Sequence, residues 1–264
     1  EIFDRDEERT VHGAILKYQT ESGKPELHME VPQSLRFLRV ADEFASPILA
    51  GNQAPAILFF GDNTAYEDFS RVLGTYNLNS RFVIPVYGGK ELRGLSQESL
   101  EPYSAVIASS YSTRGSDVFA ELDRFVKQGG GLFIDTGGDT KEANSLTLPE
   151  PLPITSSEQE EMGRSWDFSV AAHPIFEGVS VYGFGPPVYQ DSQWKLTVPV
   201  SEADLREGAQ VLLAHQGRPV LVERSLGEGK VFWSGVNLLY HTNQYKNPDE
   251  VLLLKNILTS LVPL

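Results

Sequence analysis

The sequence predicts an α/β protein: a doubly wound, mostly parallel sheet with a small β extension at its N-terminal end. Three observations carry that expectation. From Ala56 onward, apolar runs too short for helices alternate with segments whose apolar residues recur at helical spacing. The stretch from Phe119 to Thr140, FAELDRFVKQGGGLFIDTGGDT, condenses this into one unit of helix, glycine turn, buried strand and second glycine turn. Residues 1–53 lack the pattern and read differently.

In residues 1–53 the apolar residues form short runs, Ala14 to Leu16, Leu27 to Val31 and Leu35 to Val40, punctuated by Gly23, Pro25 and Pro32. They read as two or three strands, either a small lobe or an addition to an edge of the main sheet, with a joint near 51–55. Residues 54–264 then read as one α/β domain. Ile57 to Phe60 is a buried strand ending at Gly61-Asp62-Asn63, and Thr64 is placed to cap a helix carrying Phe69, Val72, Leu73 and Tyr76. A strand over 81–87, a weak helical stretch around 97–100 and a strand over 105–109 follow. The helix over 116–128 puts Phe119, Leu122, Phe125 and Val126 on one face, and Gly129 to Gly131 end it, since a residue without a Cβ turns left-handed cheaply. Leu132 to Ile134 is a short apolar run suited to a strand covered on both faces. Strands alternating with helices predict right-handed crossovers.

The regularity breaks over 141–205, rich in Pro, Ser and Glu, with Pro149, Pro151, Pro153, Pro186 and Pro187. This reads as a loop-rich insertion with a few strands laid over the sheet end. Strands return over 209–216, 219–224 and 230–235, and Gly227-Glu228-Gly229 makes a hairpin-type connection. Asn247-Pro248-Asp249-Glu250 opens the last helix with a cap, a proline at the first helical position and an acidic residue three after the cap. Its buried stripe reads as Val251, Leu254, Ile257, Leu258 and Leu261.

Composition narrows the function. A chain of 264 residues buries roughly 70 to 75% of its unfolded surface, enough for a core without staples. It has no cysteine, which excludes disulfides, thiolate metal sites and a cysteine nucleophile. A formal net charge of −14 argues against nucleic acid or an anionic membrane surface as partner. The chain starts at Glu1 with a charged segment and reads as a processed protein or a piece of a longer one.

In open α/β sheets ligands bind beyond the carboxyl ends of the strands. Asp62, Asn63, Asp135, Thr136, Gly137, Gly138 and Asp139 follow strand ends, and Asn237, Tyr240, His241 and Asn243 follow the strand over 231–234. Amide, aromatic and carboxylate groups of this kind suit a small polar ligand such as a sugar. The same residue types also cap helices and tie down loops. Asp135, Thr136 and His241 are the candidates for hydrolysis, but the turn lacks the G-x-S-x-G pattern of a nucleophile elbow. Strand-end carboxylates with an imidazole are competent metal ligands, yet no spacing such as HExxH supports one, and neither metal nor cofactor is expected. His173, before Pro174, reads as a loop hydrogen-bonder; His12, His28 and His215 carry no partner signal; Trp166, Trp194 and Trp233 read as core or lid residues.

Three segments carry a family resemblance: Leu122 to Gly138 (LDRFVKQGGGLFIDTGG), His173 to Gly178 (HPIFEG) and Pro219 to His241 (PVLVERSLGEGKVFWSGVNLLYH). In this order the chain from about 55 to 262 resembles the class I glutamine amidotransferase-like fold, a flavodoxin-like sheet. That family places a catalytic Cys at the turn where Asp135 or Thr136 stands here, with a late His and Glu, so glutamine hydrolysis by its mechanism is excluded. The resemblance implies a non-catalytic binding or structural module. The alternative is a hydrolase or carbohydrate-acting enzyme using Asp135, Thr136 and His241. More narrowly, RFVIPVYGG, GFGPPVY, and WSGVNLLYH followed by NPDE are similar to the extracytoplasmic domain of large bacterial multi-pass membrane proteins labelled 6-pyruvoyl-tetrahydropterin-synthase-related. This implies a place on the outer side of a bacterial membrane, attached to membrane segments outside this chain, with a cytoplasmic place as the alternative. The expected partner is a small polar ligand or another protein.

Overall fold

The computed structural model describes residues 10–11, 14–21, 24–30, 54–75, 78, 83–113, 117–136, 141–161, 167–181, 195–244 and 247–262. Strands β1 (Thr10–Val11), β2 (Ala14–Glu21) and β3 (Lys24–Glu30) pair antiparallel in a sheet of their own. The strand expected over 35–40 lies outside the described residues.

The remaining elements follow in chain order. They are β4 (Ala56–Gly61), α1 (Asn63–Thr75), β5 (Ile84–Gly89), β6 (Glu91–Leu92), α2 (Gln97–Leu100), β7 (Ala105–Ser109), β8 (Ser112–Thr113), α3 (Val118–Lys127) and β9 (Gly131–Asp135). Then come β10 (Glu158–Glu161), β11 (Phe168–Val170), β12 (Lys195–Val198), β13 (Ala209–His215), β14 (Arg218–Leu226), β15 (Gly229–Ser234), α4 (Leu238–Gln244) and α5 (Pro248–Leu261). Eight strands form the central sheet in the order β11-β13-β14-β15-β9-β7-β4-β5. Five of them, β15, β9, β7, β4 and β5, run parallel, and the other three extend the sheet antiparallel.

The antiparallel side follows from its turns. Gln216 and Gly217, at φ of 49° and 79°, join β13 to β14 through the doubly positive backbone that suits a two-residue hairpin. A connection that short cannot cross over, so the strands it joins must reverse.

Strands β4, β7 and β9 are buried throughout, as strands covered on both faces must be. Alternate side chains enter two separate apolar clusters. Ile57, Phe59, Ile107, Phe133 and Phe232 pack with Phe69 of α1 and with Leu254 and Ile257 of α5. Leu58, Phe60, Val106, Leu132, Ile134 and Trp233 pack with Leu100 of α2 and with Leu122, Phe125 and Val126 of α3. Each large buried side chain is worth roughly 1.5 to 3 kcal/mol relative to exposure. No helix among the described residues is long and apolar enough to cross a membrane.

Several local expectations change. The cap of α1 is Asp62, whose Oδ1 accepts the Ala65 amide at 2.8 Å; Thr64 sits inside the helix and is exposed. Tyr76 lies outside the described residues. The insertion over 141–205 holds an antiparallel ladder, β10 with β12, and an edge strand of the main sheet, β11. In α5, Asn247 caps the first turn by accepting the Asp249 and Glu250 amides at 2.9 and 3.3 Å. Leu253 joins the buried stripe, while Val251 is half-buried. Gly61, at the end of β4, approaches β7 so closely that a Cβ there would collide with the Ser109 carbonyl oxygen.

Candidate functional site

Three polar residues end three adjacent strands of this apolar sheet. Asp135 of β9 is in register with Ser109 of β7 on one side and Ser234 of β15 on the other, and all three are buried. Its Oδ2 accepts the Ser109 hydroxyl at 3.3 Å and the Leu239 amide, at the start of α4, at 3.1 Å. Burial pushes the Asp135 carboxyl above the usual carboxylate range. Hydrogen bonds from the Leu239 amide, the Ser234 hydroxyl and the Leu238 amide, with the nearby charge of His241, oppose that rise.

Thr136 follows with its side chain turned to the backbone. Its amide and hydroxyl both donate to the Ser234 carbonyl, at 2.8 and 3.2 Å, and its carbonyl accepts the Thr197 hydroxyl at 3.0 Å. His241 lies on α4, where its Nδ1 stands 3.1 Å from Glu250 Oε1 of α5, and both side chains are buried. Sequence reading assigned Glu250 to the first turn of the last helix; its carboxylate faces a histidine nine residues back. Asn237 enters α4 in the left-handed region, at φ 59°, and its Oδ1 is buried without a hydrogen bond.

A second buried group lies beside this row. After β7 the chain turns at Ser110, φ 50°, and Tyr111 is buried beside the Glu142 carboxylate. Burial raises the phenol well above its usual value, and the negative charge of Glu142, a hydrogen bond to its carboxylate and the charge of Asp135 raise it further. Glu142 is also buried, its Oε1 accepting the Thr113 hydroxyl at 3.3 Å.

Of the residues expected at the sheet end, Asp135, Thr136, Asn237 and His241 do gather there. Asp62 follows β4 but is engaged in the cap, Asn63 is exposed, and Tyr240 is 46% exposed with its ring 6.2 Å from that of His241. Gly137, Gly138 and Asp139 lie outside the described residues, as do Trp166, Trp194 and His12. The side chains of Asn243 and His28 are likewise outside the description. His173 accepts the Ile175 amide on Nδ1 at 3.4 Å and places Nε2 2.9 Å from Glu223, so it holds a loop to the sheet. Among the described residues a groove of about 730 Å³ opens at the opposite end of the strands, by Ser104 and Gly130 at the amino ends of β7 and β9, where no ligand site was expected.

Ser109, Ser234, Tyr111, Glu142 and Glu250 escaped the sequence reading. The one signal for Ser109 and Ser234 is that each is the polar last residue of an apolar strand. Glu142 offers none.

No family model matches the chain, and no curated protein matches it with significance. Among solved structures the chain is similar to the cytoplasmic protein STM1381 from Salmonella typhimurium LT2, at 17% identity and a TM-score of 0.54, covering 78% of this chain and 99% of that one. It is also similar to a ThuA-like protein from Bacteroides uniformis ATCC 8492, at 11% identity and a TM-score of 0.48, covering 80% and 93%. The exo-beta-1,4-mannosidase Op5Man5 from Opitutaceae bacterium strain TAV5 is similar at 16% identity and a TM-score of 0.46, covering 80% of this chain and 36% of that one. The first likeness speaks to the fold alone: the chain is an α/β protein on a large, mostly parallel central sheet flanked by helices.

Proposed function

We propose that this chain is a non-catalytic member of the class I glutamine amidotransferase-like group, working as a binding or structural module. One observation carries the reading. At the turn where that family resemblance places a nucleophile stands Asp135, buried and held by Ser109 and Leu239. Thr136 gives its hydroxyl to a backbone carbonyl, and the imidazole of His241 is engaged by Glu250. A hydroxyl nucleophile needs a base within hydrogen-bond reach and an approach for substrate; this end of the sheet is organised around internal bonds instead.

The finer fold reading supports it. Counted along the chain, the five parallel strands stand second, first, third, fourth and fifth across the sheet, the order of flavodoxin-like, doubly wound proteins. Residues 1–53 are then an extension and 54–264 the module proper. The narrower resemblance puts the module on the outer side of a bacterial membrane, as part of a larger membrane-associated protein, with a small polar ligand or a protein as its partner.

The test is turnover. Purified chain is assayed against glutamine, nitrophenyl esters and nitrophenyl glycosides, and rates at the buffer control are expected throughout. Hydrolysis that disappears in a folded His241→Ala or Asp135→Ala variant overturns the proposal and puts the hydrolase reading in its place.

A further inference from the structure

The groove at the amino ends of β7 and β9 has an apolar floor and firmly held walls. Leu100 of α2 and Phe125 of α3, both buried, line it together with the half-buried ring of Tyr103. Gly130 lets the Phe125 ring lie against the backbone after α3, where a Cβ would collide with it. Ser104 is fixed on both sides, its amide donating to the Ala56 carbonyl at 2.8 Å and its carbonyl accepting the Gly131 amide at 2.9 Å. The start of α2 is closed by a reciprocal cap, in which the Ser96 hydroxyl accepts the Ser99 amide at 3.1 Å and the Ser99 hydroxyl accepts the Ser96 amide at 2.9 Å. At about 730 Å³ the space falls within the roughly 300 to 1,000 Å³ of ligand pockets.

The rim is acidic. Glu98 and Glu101, three residues apart on α2 and its end, are both exposed and carry no ion pair among the described residues. The wall from α3 adds Glu121 and Arg124, which pair with each other at 2.6 Å. The arginine is therefore already matched, and the two carboxylates of the α2 wall are left uncompensated. An occupant that suits the whole groove carries positive charge for that wall and apolar surface for the floor. An anion meets repulsion, and a bare cation leaves the floor in water. A peptide combines both, and arginine pairs with carboxylates through a planar fork of donors that lysine lacks.

We propose that this groove docks an arginine-bearing peptide segment of a partner protein, with the guanidinium at the Glu98 and Glu101 rim and apolar neighbours on the floor of Tyr103, Leu100 and Phe125. The proposal does not rest on the absence of catalysis, because the groove and the row of Asp135 lie at opposite ends of the strands. Turnover at the far end would overturn the non-catalytic reading and leave this one standing.

The test is a selection of displayed random hexapeptides on the intact chain. It is run at about 0.15 M salt, where exposed charges more than about 8 Å apart are largely screened, so that the overall negative charge does not select by itself. Selected sequences are expected to carry arginine beside apolar residues. A synthetic peptide of a selected sequence, followed by fluorescence anisotropy, should bind the Glu98→Gln, Glu101→Gln double variant at least about fivefold more weakly than the wild type. Glu177→Gln removes a carboxylate from an exposed residue beside α5, on the other face of the sheet, and should leave the affinity unchanged. All three residues are exposed, and circular dichroism establishes that the variants are folded. Selection that yields no binders, or only binders without arginine, overturns the proposal. A peptide that binds the double variant as tightly as the wild type, or loses as much on Glu177→Gln, overturns it as well.

Discussion

The imidazole Nδ1 of His241 stands 3.1 Å from Glu250 Oε1, and neither side chain meets solvent. The pair joins α4 to α5 across the turn that Asn247 caps, so it fixes how the last helix leaves the sheet end. Removing one partner of a buried pair takes a bond from the other without returning it to water. His241→Ala should lower stability by about 3 to 5 kcal/mol, while exchanging both residues for leucine costs much less, because no buried carboxylate then loses its imidazole. Urea denaturation of the single and double variants checks this. Equal losses in the two would mean that the pair contributes nothing beyond packing.

Asp135 offers a contrast between two substitutions at one site. Asp135→Ala leaves the Ser109 hydroxyl and the Leu239 amide without their acceptor in the interior, a loss of about 1 to 3 kcal/mol. Asp135→Asn keeps an acceptor oxygen at the same place and should cost clearly less. Urea denaturation of both variants decides it, and a larger loss for Asn than for Ala would show that these bonds do not hold the residue.

Acid sensitivity is expected at Asp204. Its carboxyl is held below the ordinary aspartate range first by the Ser201 hydroxyl and then by Ser156, with Thr155 and the Ser201 amide adding to the effect. The bonds are short: Ser201 donates its amide and its hydroxyl to Oδ2 at 2.8 Å each, and the Thr155 hydroxyl donates to Oδ1 at 3.0 Å. A carboxyl depressed in the folded state stabilises the fold above its unfolded pKa of about 4, and this contribution fades as pH falls through the lower folded value. Melting temperature should therefore fall less steeply below about pH 4 in Asp204→Asn than in the wild type. Identical acid profiles would show that the carboxylate's bonds do not contribute to stability.

Much of the fold was legible because its signals are local. The run Gly131–Asp135 between glycine turns, the one-sided helix Val118–Lys127 and the capped, proline-started helix Pro248–Leu261 stand where spacing and turn chemistry placed them. Each is specified by residues within about one turn or one strand of each other. Trp233, read from the sequence as a core or lid residue, lies fully buried in the core.

The site divides differently. The chain by itself determined that no thiolate chemistry is available and that Asp135, Thr136 and His241 would follow strands. Only tertiary structure decided what those residues touch. Whether Asp135 meets Ser109 and Ser234 depends on the register of strands 26 and 98 or more positions apart in the chain, and a slip of one residue would turn each side chain to the other face. The partner of His241 sits on another helix, and Tyr111 and Glu142 come close only because an insertion with no periodic signal folds back over the ends of β7 and β9. Short-range preferences set which segments are strands and helices; packing around a shared core sets which polar atoms are buried together, and no local pattern encodes that.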